Sequence, residues 1–176
     1  MAFLETPRLL FRAHEPRDEE HFVQMQMNPE VRRYVGGRAW THEEAMRRFR
    51  QGYLNKPSDA SNLCATELKA ENRYIGFCGI RRDDPASKCA HLGYYIDQPY
   101  WGRGLATEAT AAFIELAFSH FNLDQLAAEV DHRHEASIHI LHKFGFVPVR
   151  AEEVAAGRVI DHFRLHKIAV SPDLSK

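Results

Sequence analysis

Long apolar runs are absent from this chain. No window approaches the ~18 consecutive apolar residues that span a bilayer. The opening Met1-Ala2-Phe3-Leu4-Glu5-Thr6-Pro7 has no basic stretch leading into an apolar core. A cytoplasmic protein without a membrane partner is expected. Cysteine is scarce: Cys64, Cys78 and Cys89 show no C-x-x-C spacing, and an odd number cannot close a disulfide framework, which predicts reduced thiols. Charge of one sign is lacking as well. With 23 Lys and Arg against 24 Asp and Glu, the formal net charge is -1, which gives no overall attraction to nucleic acid. Repeats, low-complexity tracts and linkers are missing, and 176 residues suffice for one good core. The expectation is a single domain over 1–170 with a frayed tail over 171–176.

Two phosphate signatures are also absent. There is no G-x-x-x-x-G-K-[ST] and no G-x-G-x-x-G opening a βαβ unit, so the common mononucleotide and dinucleotide sites have little support. The histidines His132, His134, His139 and His142 invite a metal reading. His134-Glu135-Ala136-Ser137-Ile138-His139 is one residue too long for H-E-x-x-H, however, and no third ligand follows from spacing. A solvated helix face is the better reading, and no metal is expected.

The patterns that are present outline an α+β chain. Leu9 to Phe11 predicts a first strand, and Pro16 opens a helix that Asn28-Pro29 ends. A short helical turn falls in Val31 to Gly37. Thr41-His42-Glu43-Glu44 has capping-box spacing before a helix expected to end near Lys56-Pro57. Leu63 to Leu68 and Tyr74 to Ile80 read as an antiparallel hairpin, and His91 to Ile96 as a further strand in which Gly93 marks a bulge or a close backbone approach. Thr107 to His120 has the clearest helical periodicity. A strand over Leu126 to Val130, a helix over Glu135 to Lys143 closed by Gly145, and paired strands Phe146 to Arg150 and Ile160 to Ala169 complete the order.

Chemistry concentrates in Tyr100-Trp101-Gly102-Arg103-Gly104-Leu105-Ala106-Thr107. Two glycines between a strand and a long helix let successive N–H groups face outward without a Cβ in the way, and the helix dipole adds partial positive charge. Arg103 and the Thr107 hydroxyl could add charge and a donor. An ordinary helix cap is the alternative for a glycine pair alone.

Three segments in order carry a resemblance: His91-Leu92-Gly93-Tyr94-Tyr95-Ile96, Gly102-Arg103-Gly104-Leu105-Ala106-Thr107-Glu108-Ala109, and Ser137-Ile138-His139-Ile140-Leu141-His142-Lys143-Phe144-Gly145-Phe146. Together they resemble the GNAT superfamily of N-acetyltransferases, most nearly its RimJ/RimL-like group. Thr6-Pro7-Arg8-Leu9-Leu10-Phe11-Arg12 and Asp161-His162-Phe163 are similar to that group's first and last strands. The resemblance implies a mixed, mostly antiparallel sheet with a splayed central strand pair and flanking helices, acetyl-CoA as acetyl donor, and a monomer or homodimer. It implies pantetheine contacts from Tyr94, Tyr95 and Ile96, and pyrophosphate on the N–H groups of Trp101, Gly102, Arg103, Gly104, Leu105, Ala106 and Thr107. Trp101 stands where the family often has Gln or Arg. His134 replaces the usual Asn before Ser137, and both are implied cofactor contacts.

Acetyl transfer needs a neutral amine, an oxyanion donor and a proton for the thiolate. The resemblance implies direct attack by a primary amine, on a peptide N-terminus or a small molecule. A backbone N–H near Tyr95 or Ile96 would hold the thioester carbonyl. His91 could relay a proton or be a surface strand-end residue, Tyr95 could line the acceptor pocket or be core, and Ser137 could contact cofactor or cap its helix. Leu141 occupies the place where some relatives carry a tyrosine acid. Tyr34 and Trp40 are acceptor-pocket walls or buried aromatics. An inactive acyl-CoA-binding module on the same fold is the rival reading.

Overall fold

A computed structural model describes residues 2–54, 63–84 and 86–167. Strands β1 (Ala2–Glu5) and β2 (Leu9–Arg12) open the chain, followed by α1 (Glu19–Met27), α2 (Pro29–Arg32) and α3 (His42–Gly52). Then come β3 (Cys64–Leu68), β4 (Arg73–Arg81), β5 (Cys89–Ile96), α4 (Leu105–Glu115), β6 (Gln125–Asp131), α5 (Glu135–Lys143), β7 (Val147–Val154) and β8 (Arg158–His166). They form one eight-stranded sheet in the order β1-β2-β3-β4-β5-β6-β8-β7. Every neighbouring pair is antiparallel except β5 and β6. The α+β class and mostly antiparallel sheet are as the sequence predicted.

Local rules account for most elements. Thr41 caps α3 through its Oγ1, which accepts from Glu44 N, while the Glu44 carboxylate accepts from Thr41 N. Helix α5 ends in a Schellman motif: Phe146 N donates to Leu141 O, and Gly145, at φ 81°, donates to His142 O. Three expectations differ. Strand β1 pairs on β2 although no periodicity announced it. Helix α3 stops at Gly52, while Lys56 and Pro57 lie outside the described residues, as does the expected tail. The long central helix is α-helical only to Glu115 and continues as a π-helical turn over Leu116–His120.

Helices cover both sheet faces. Leu105, Ala109 and Phe113 of α4 and Leu141 of α5 pack with Phe11, Leu92, Leu126 and Phe163 in one core. Phe22 and Met25 of α1 and Phe49 of α3 pack with Ala65, Tyr74 and Phe77 in the other. A buried ion cluster holds that second layer in place. Arg12 Nη1 and Nη2 donate to Asp18 at 2.7 and 2.8 Å, and Nε donates to Glu67 at 3.0 Å. Burial weighs against the guanidinium charge, but the bonds to Asp18 and Glu67 outweigh it and raise the Arg12 pKa. Losing one partner would strand an unpaired buried charge.

The feature that creates a site is a parting of strands. The parallel ladder holds only Cys89↔Gln125, Ala90↔Leu126 and His91↔Ala127. Beyond His91, β5 stays with β4 through Gly76↔Ile96, and β6 stays with β8 through Asp131↔Ile160. Gly76 is essential to this course. Its φ is 147°, and a Cβ there would lie 2.0 Å from the Tyr95 carbonyl oxygen. Gly93, by contrast, pairs in regular register with Gly79, so no bulge arises at that residue.

Gly76→Ala is expected to lose about 3 kcal/mol of stability, seen as a melting temperature lowered by roughly 6–12 °C. A second prediction concerns His14, which sits among the rings of Phe22, Phe49, Tyr53, Tyr74 and Phe77. Burial, only partly opposed by Asp18, pushes its pKa down from 6.5 to about 4. The unfolded chain then binds the extra proton more readily, so this contribution is complete above about pH 6.5 and is lost as pH falls toward 4. Urea unfolding should show a loss of about 2–3 kcal/mol from this source between those limits, and His14→Phe should remove that part of the pH dependence.

Candidate active site

The chain leaves β5 through a 3-10 turn, Gln98–Tyr100, capped by Asp97, whose Oδ1 accepts from Gln98 N at 2.8 Å. The Trp101 indole N–H then donates to Ile96 O at 2.6 Å, folding the ring back over the strand end. Gly102 and Gly104 take φ of 71° and 73°, a left-handed conformation that costs glycine nothing. Gly104 is the N-cap of α4 and has no side chain to satisfy the helix. The first helical bond there is Glu108 N to Gly104 O. The N–H groups of Leu105, Ala106 and Thr107 make no hydrogen bond among the described residues. These free donors at the positive end of the dipole suit an anion.

The turn is braced from the other end of the sequence. Glu108 accepts from Thr6 Oγ1 at 2.6 Å, from Arg8 N at 2.9 Å and from Arg8 Nε at 2.5 Å, while Arg8 Nη1 donates to Arg103 O at 2.8 Å. Burial would raise the Glu108 pKa, but the bonds from Thr6 and Arg8 prevail and lower it.

Between the parted strands lies a cavity of about 850 Å³ that runs from Gly102 and Gly104 along β5 to Tyr34 and Arg158. On the α5 side the Tyr94 hydroxyl meets Ser137 Oγ at 2.7 Å, with Ala128 and Leu141 beside them. Burial pushes the Tyr94 hydroxyl up to about 12. At the far end the Tyr34 ring lies 4.4 Å from the His134 ring, and Arg158 Nη2 donates to Tyr34 O at 3.0 Å. Arg158 Nε also donates to Asp131, whose carboxylate is held well below the usual range, first by the Arg133 side chain and then by Arg158.

The cavity brings together Tyr34, Tyr94, Tyr95, Ile96, Trp101, Gly102, Gly104, Leu105, Ala106, Thr107, His134 and Ser137. Three candidates stand apart from its lining. His91 occupies the last paired position, its Nε2 3.9 Å from Asp83. Arg103 lies over the Tyr100 ring, and the guanidinium carbons of Arg32 and Arg48 lie 4.2 and 4.7 Å from the Trp40 ring centroid. The cap of α5 is His134 rather than Ser137: His134 Nδ1 accepts from Ser137 N at 3.1 Å, which frees the serine hydroxyl for Tyr94. Of the other histidines, His132 pairs with Asp161 and His142 packs on Phe163. Among the described residues no group of three His, Cys, Asp or Glu is placed to hold a metal ion. Sequence reasoning missed Glu129, Asp131 and Arg133. Glu129 and Asp131 face the cavity from β6 in its register with β8, and Arg158, in the segment Val154 to Val159 that the resemblance placed at the amine site, lines it as well.

A family model described as the acetyltransferase (GNAT) domain matches residues 8–147. The chain belongs to the GNAT acetyltransferase family. It is 31% identical over 166 residues to the uncharacterized N-acetyltransferase p20 of Bacillus licheniformis, covering 92% of this chain and 93% of that one. Its fold resembles spermidine N-acetyltransferase from Vibrio cholerae in complex with CoA and spermine, with a TM-score of 0.76, 16% identity, and 92% and 96% of the two chains covered. RimL, the ribosomal L7/L12 α-N-protein acetyltransferase in complex with CoA, aligns with a TM-score of 0.72 and 13% identity over 94% and 98%. This GNAT protein is an acetyl-CoA-dependent N-acetyltransferase.

The residues present fit acetyl-CoA. Unpaired N–H groups at the turn suit a pyrophosphate, and the β5 edge beyond His91, with no ladder to β6, offers backbone groups to an amide-bearing arm. Gly104→Asp places a carboxylate at the mouth of those donors. Calorimetric titration should show acetyl-CoA affinity reduced on the order of tenfold or more, equivalent to about 1.4 kcal/mol, in a variant that remains folded.

Proposed function

We propose that this GNAT enzyme acetylates a primary amine by direct attack on the acetyl thioester, and that the acceptor is a peptide N-terminus. The thioester supplies an activated acetyl group; the protein aligns it and manages protons. The observation that carries the acceptor class is the charge balance of the cavity. Glu129, Asp131 and Glu135 are its carboxylates, and Asp131 is already neutralised by Arg133 and Arg158. A polyamine, with several cations, calls for more free carboxylates than this. A peptide brings one ammonium group, and its carbonyls suit the Arg133 and Arg158 end. Both acceptor kinds occur among structural neighbours, since RimL is named for a protein α-amine and the Vibrio enzyme for spermidine.

Direct attack needs no enzyme nucleophile. Cys64 and Cys78 are buried, none of the three thiols lines the cavity, and burial pushes the Cys78 thiol up, away from the reactive thiolate. Leu141, in place of a tyrosine acid, is the observation favouring the binding-module alternative. A turnover assay separates the readings: purified protein with acetyl-CoA should consume it with dipeptides whose α-amine is free, and several-fold less with spermidine. Faster turnover of spermidine would replace the peptide acceptor with a polyamine. Tight acetyl-CoA binding without turnover of any amine would leave the binding module.

A further inference from the structure

A cation without a counter-charge lies behind the wall at the Tyr34 end of the cavity. Arg32, the last residue of α2, is only 6% exposed, yet no carboxylate comes within ion-pair distance of it among the described residues. Its Nε reaches Arg38 O at 3.4 Å and its Nη1 reaches Gln26 Oε1 at 3.3 Å, both long bonds, and Nη2 donates to nothing among the described residues. Gln26 is fully buried, and its Nε2 has no partner either. The Trp40 ring attracts the Arg32 charge but supplies no oxygen to the N–H groups. This corner is short of acceptors, unlike the Arg12 cluster, where two carboxylates take the guanidinium.

Neighbouring charges deepen the deficit. Arg48 shares the Trp40 ring and forms no ion pair among the described residues, while Arg38 is held by Glu44. Burial pushes the Arg32 pKa down; Tyr95 and Tyr53 oppose this, and Arg48 and Arg38 add to it. The group stays charged all the same, because a guanidinium does not deprotonate in a protein. None of the cavity carboxylates neutralises it. Asp131 is bonded to Arg133 and Arg158, Glu129 has His162 at 3.5 Å, and Glu135 opens α5. A buried guanidinium left in this state is costly, and an anion arriving from the cavity would relieve it.

Gly36 provides the approach. It lines the cavity with Tyr34 and Val35 at a φ of 74°, and a Cβ there would lie 2.7 Å from Arg32 Nη2. The missing side chain thus brings the unbonded Nη2 up against the cavity wall. Tyr95 marks the same place, since it lines the cavity and, after burial, Arg32 is the group that acts most on its hydroxyl.

We propose that Arg32 Nη2, reached past Gly36 and reinforced by the positive potential of Arg48, binds a carboxylate of the acceptor, so that the enzyme prefers peptides carrying negative charge close to the reacting amine. This rests on the peptide-acceptor reading above and names its substrate class. Arg32 binds and orients; it takes no part in the chemical step. Two sources share this chemistry: an Asp or Glu side chain at the first or second residue of a peptide N-terminus, and the terminal carboxylate of a short acceptor.

The test compares kcat/KM for acceptors that differ by one charge: tripeptide amides with Asp against Asn at the first and at the second position, and alanyl-alanine as free acid against its amide. The parent protein should favour the charged member of at least one pair by roughly tenfold or more, the worth of one hydrogen bond to a charged group, chiefly through KM. Preference in an Asp pair names an acidic peptide N-terminus, and preference in the alanyl-alanine pair alone names the terminal carboxylate. Arg32→Gln should remove the preference, Arg32→Lys should keep part of it, and Gly36→Ala, whose Cβ displaces Nη2, should weaken it. Each ratio is internal to one preparation, so a loss of folded protein cancels. Equal or reversed kcat/KM within every pair for the parent protein, or a preference that survives Arg32→Gln, overturns the inference and leaves the acetyltransferase reading intact. Absence of turnover by the parent protein with every acceptor overturns both.

Discussion

Beyond His91, β5 pairs with a strand on one edge only, and that one-sided pairing is the constraint on which the cavity, from the glycine turn to its Tyr34 and Arg158 end, depends. Six consecutive pairs tie β5 to β4 and seven tie β6 to β8, while three join the two halves. The sheet therefore behaves as two ribbons hinged at a short parallel ladder. Each ribbon follows its own twist, and the space between them is where backbone groups remain unpaired. Gly76 keeps β5 on its ribbon by admitting the Tyr95 carbonyl into the place a side chain would take.

One buried ion cluster and one built on a buried carboxylate with an exposed arginine lie on opposite sides of this opening. Arg12, Asp18 and Glu67 bind the entry of α1 to β2 and β3, so the helical layer cannot slide over the sheet. Asp131, Arg133 and Arg158 join the ends of β6 and β8, and Arg158 reaches across to the Tyr34 carbonyl. Such clusters fix geometry more surely than they add stability, since desolvation offsets much of their attraction. Geometry is what an aligning enzyme requires.

Much of this was legible in the residues, where the information is local. The Thr41–Glu44 capping box, the Glu135–Lys143 helix with its Gly145 stop, and the glycine turn at Gly102 and Gly104 each depend on a few adjacent positions. The features that escaped are long-range. Glu129 and Glu152 approach His162 to 3.5 and 3.2 Å only because β8 lies between β6 and β7, an order the sequence does not spell out. His134 was visible as an odd replacement near Ser137, but its role as the α5 cap follows from a backbone φ of -87° and ψ of 68° that no periodicity reveals. Trp40, legible as a pocket wall or a buried aromatic, packs against the α1/α3 core and has the guanidinium groups of Arg32 and Arg48 near its ring. The π-helical turn at Leu116–His120 left no mark, because its residues also satisfy α-helical spacing.

The link from Thr6 and Arg8 to Glu108 has a thermodynamic corollary. It ties the β1/β2 corner to the first turn of α4, so the turn is preorganised by a segment about a hundred residues away in the chain. An anion that orders those N–H donors must also favour the docked corner, and by reciprocity the docked corner raises the affinity for the anion. The opening strands are thus an energetic component of ligand recognition, although no atom of Arg8 lines the cavity.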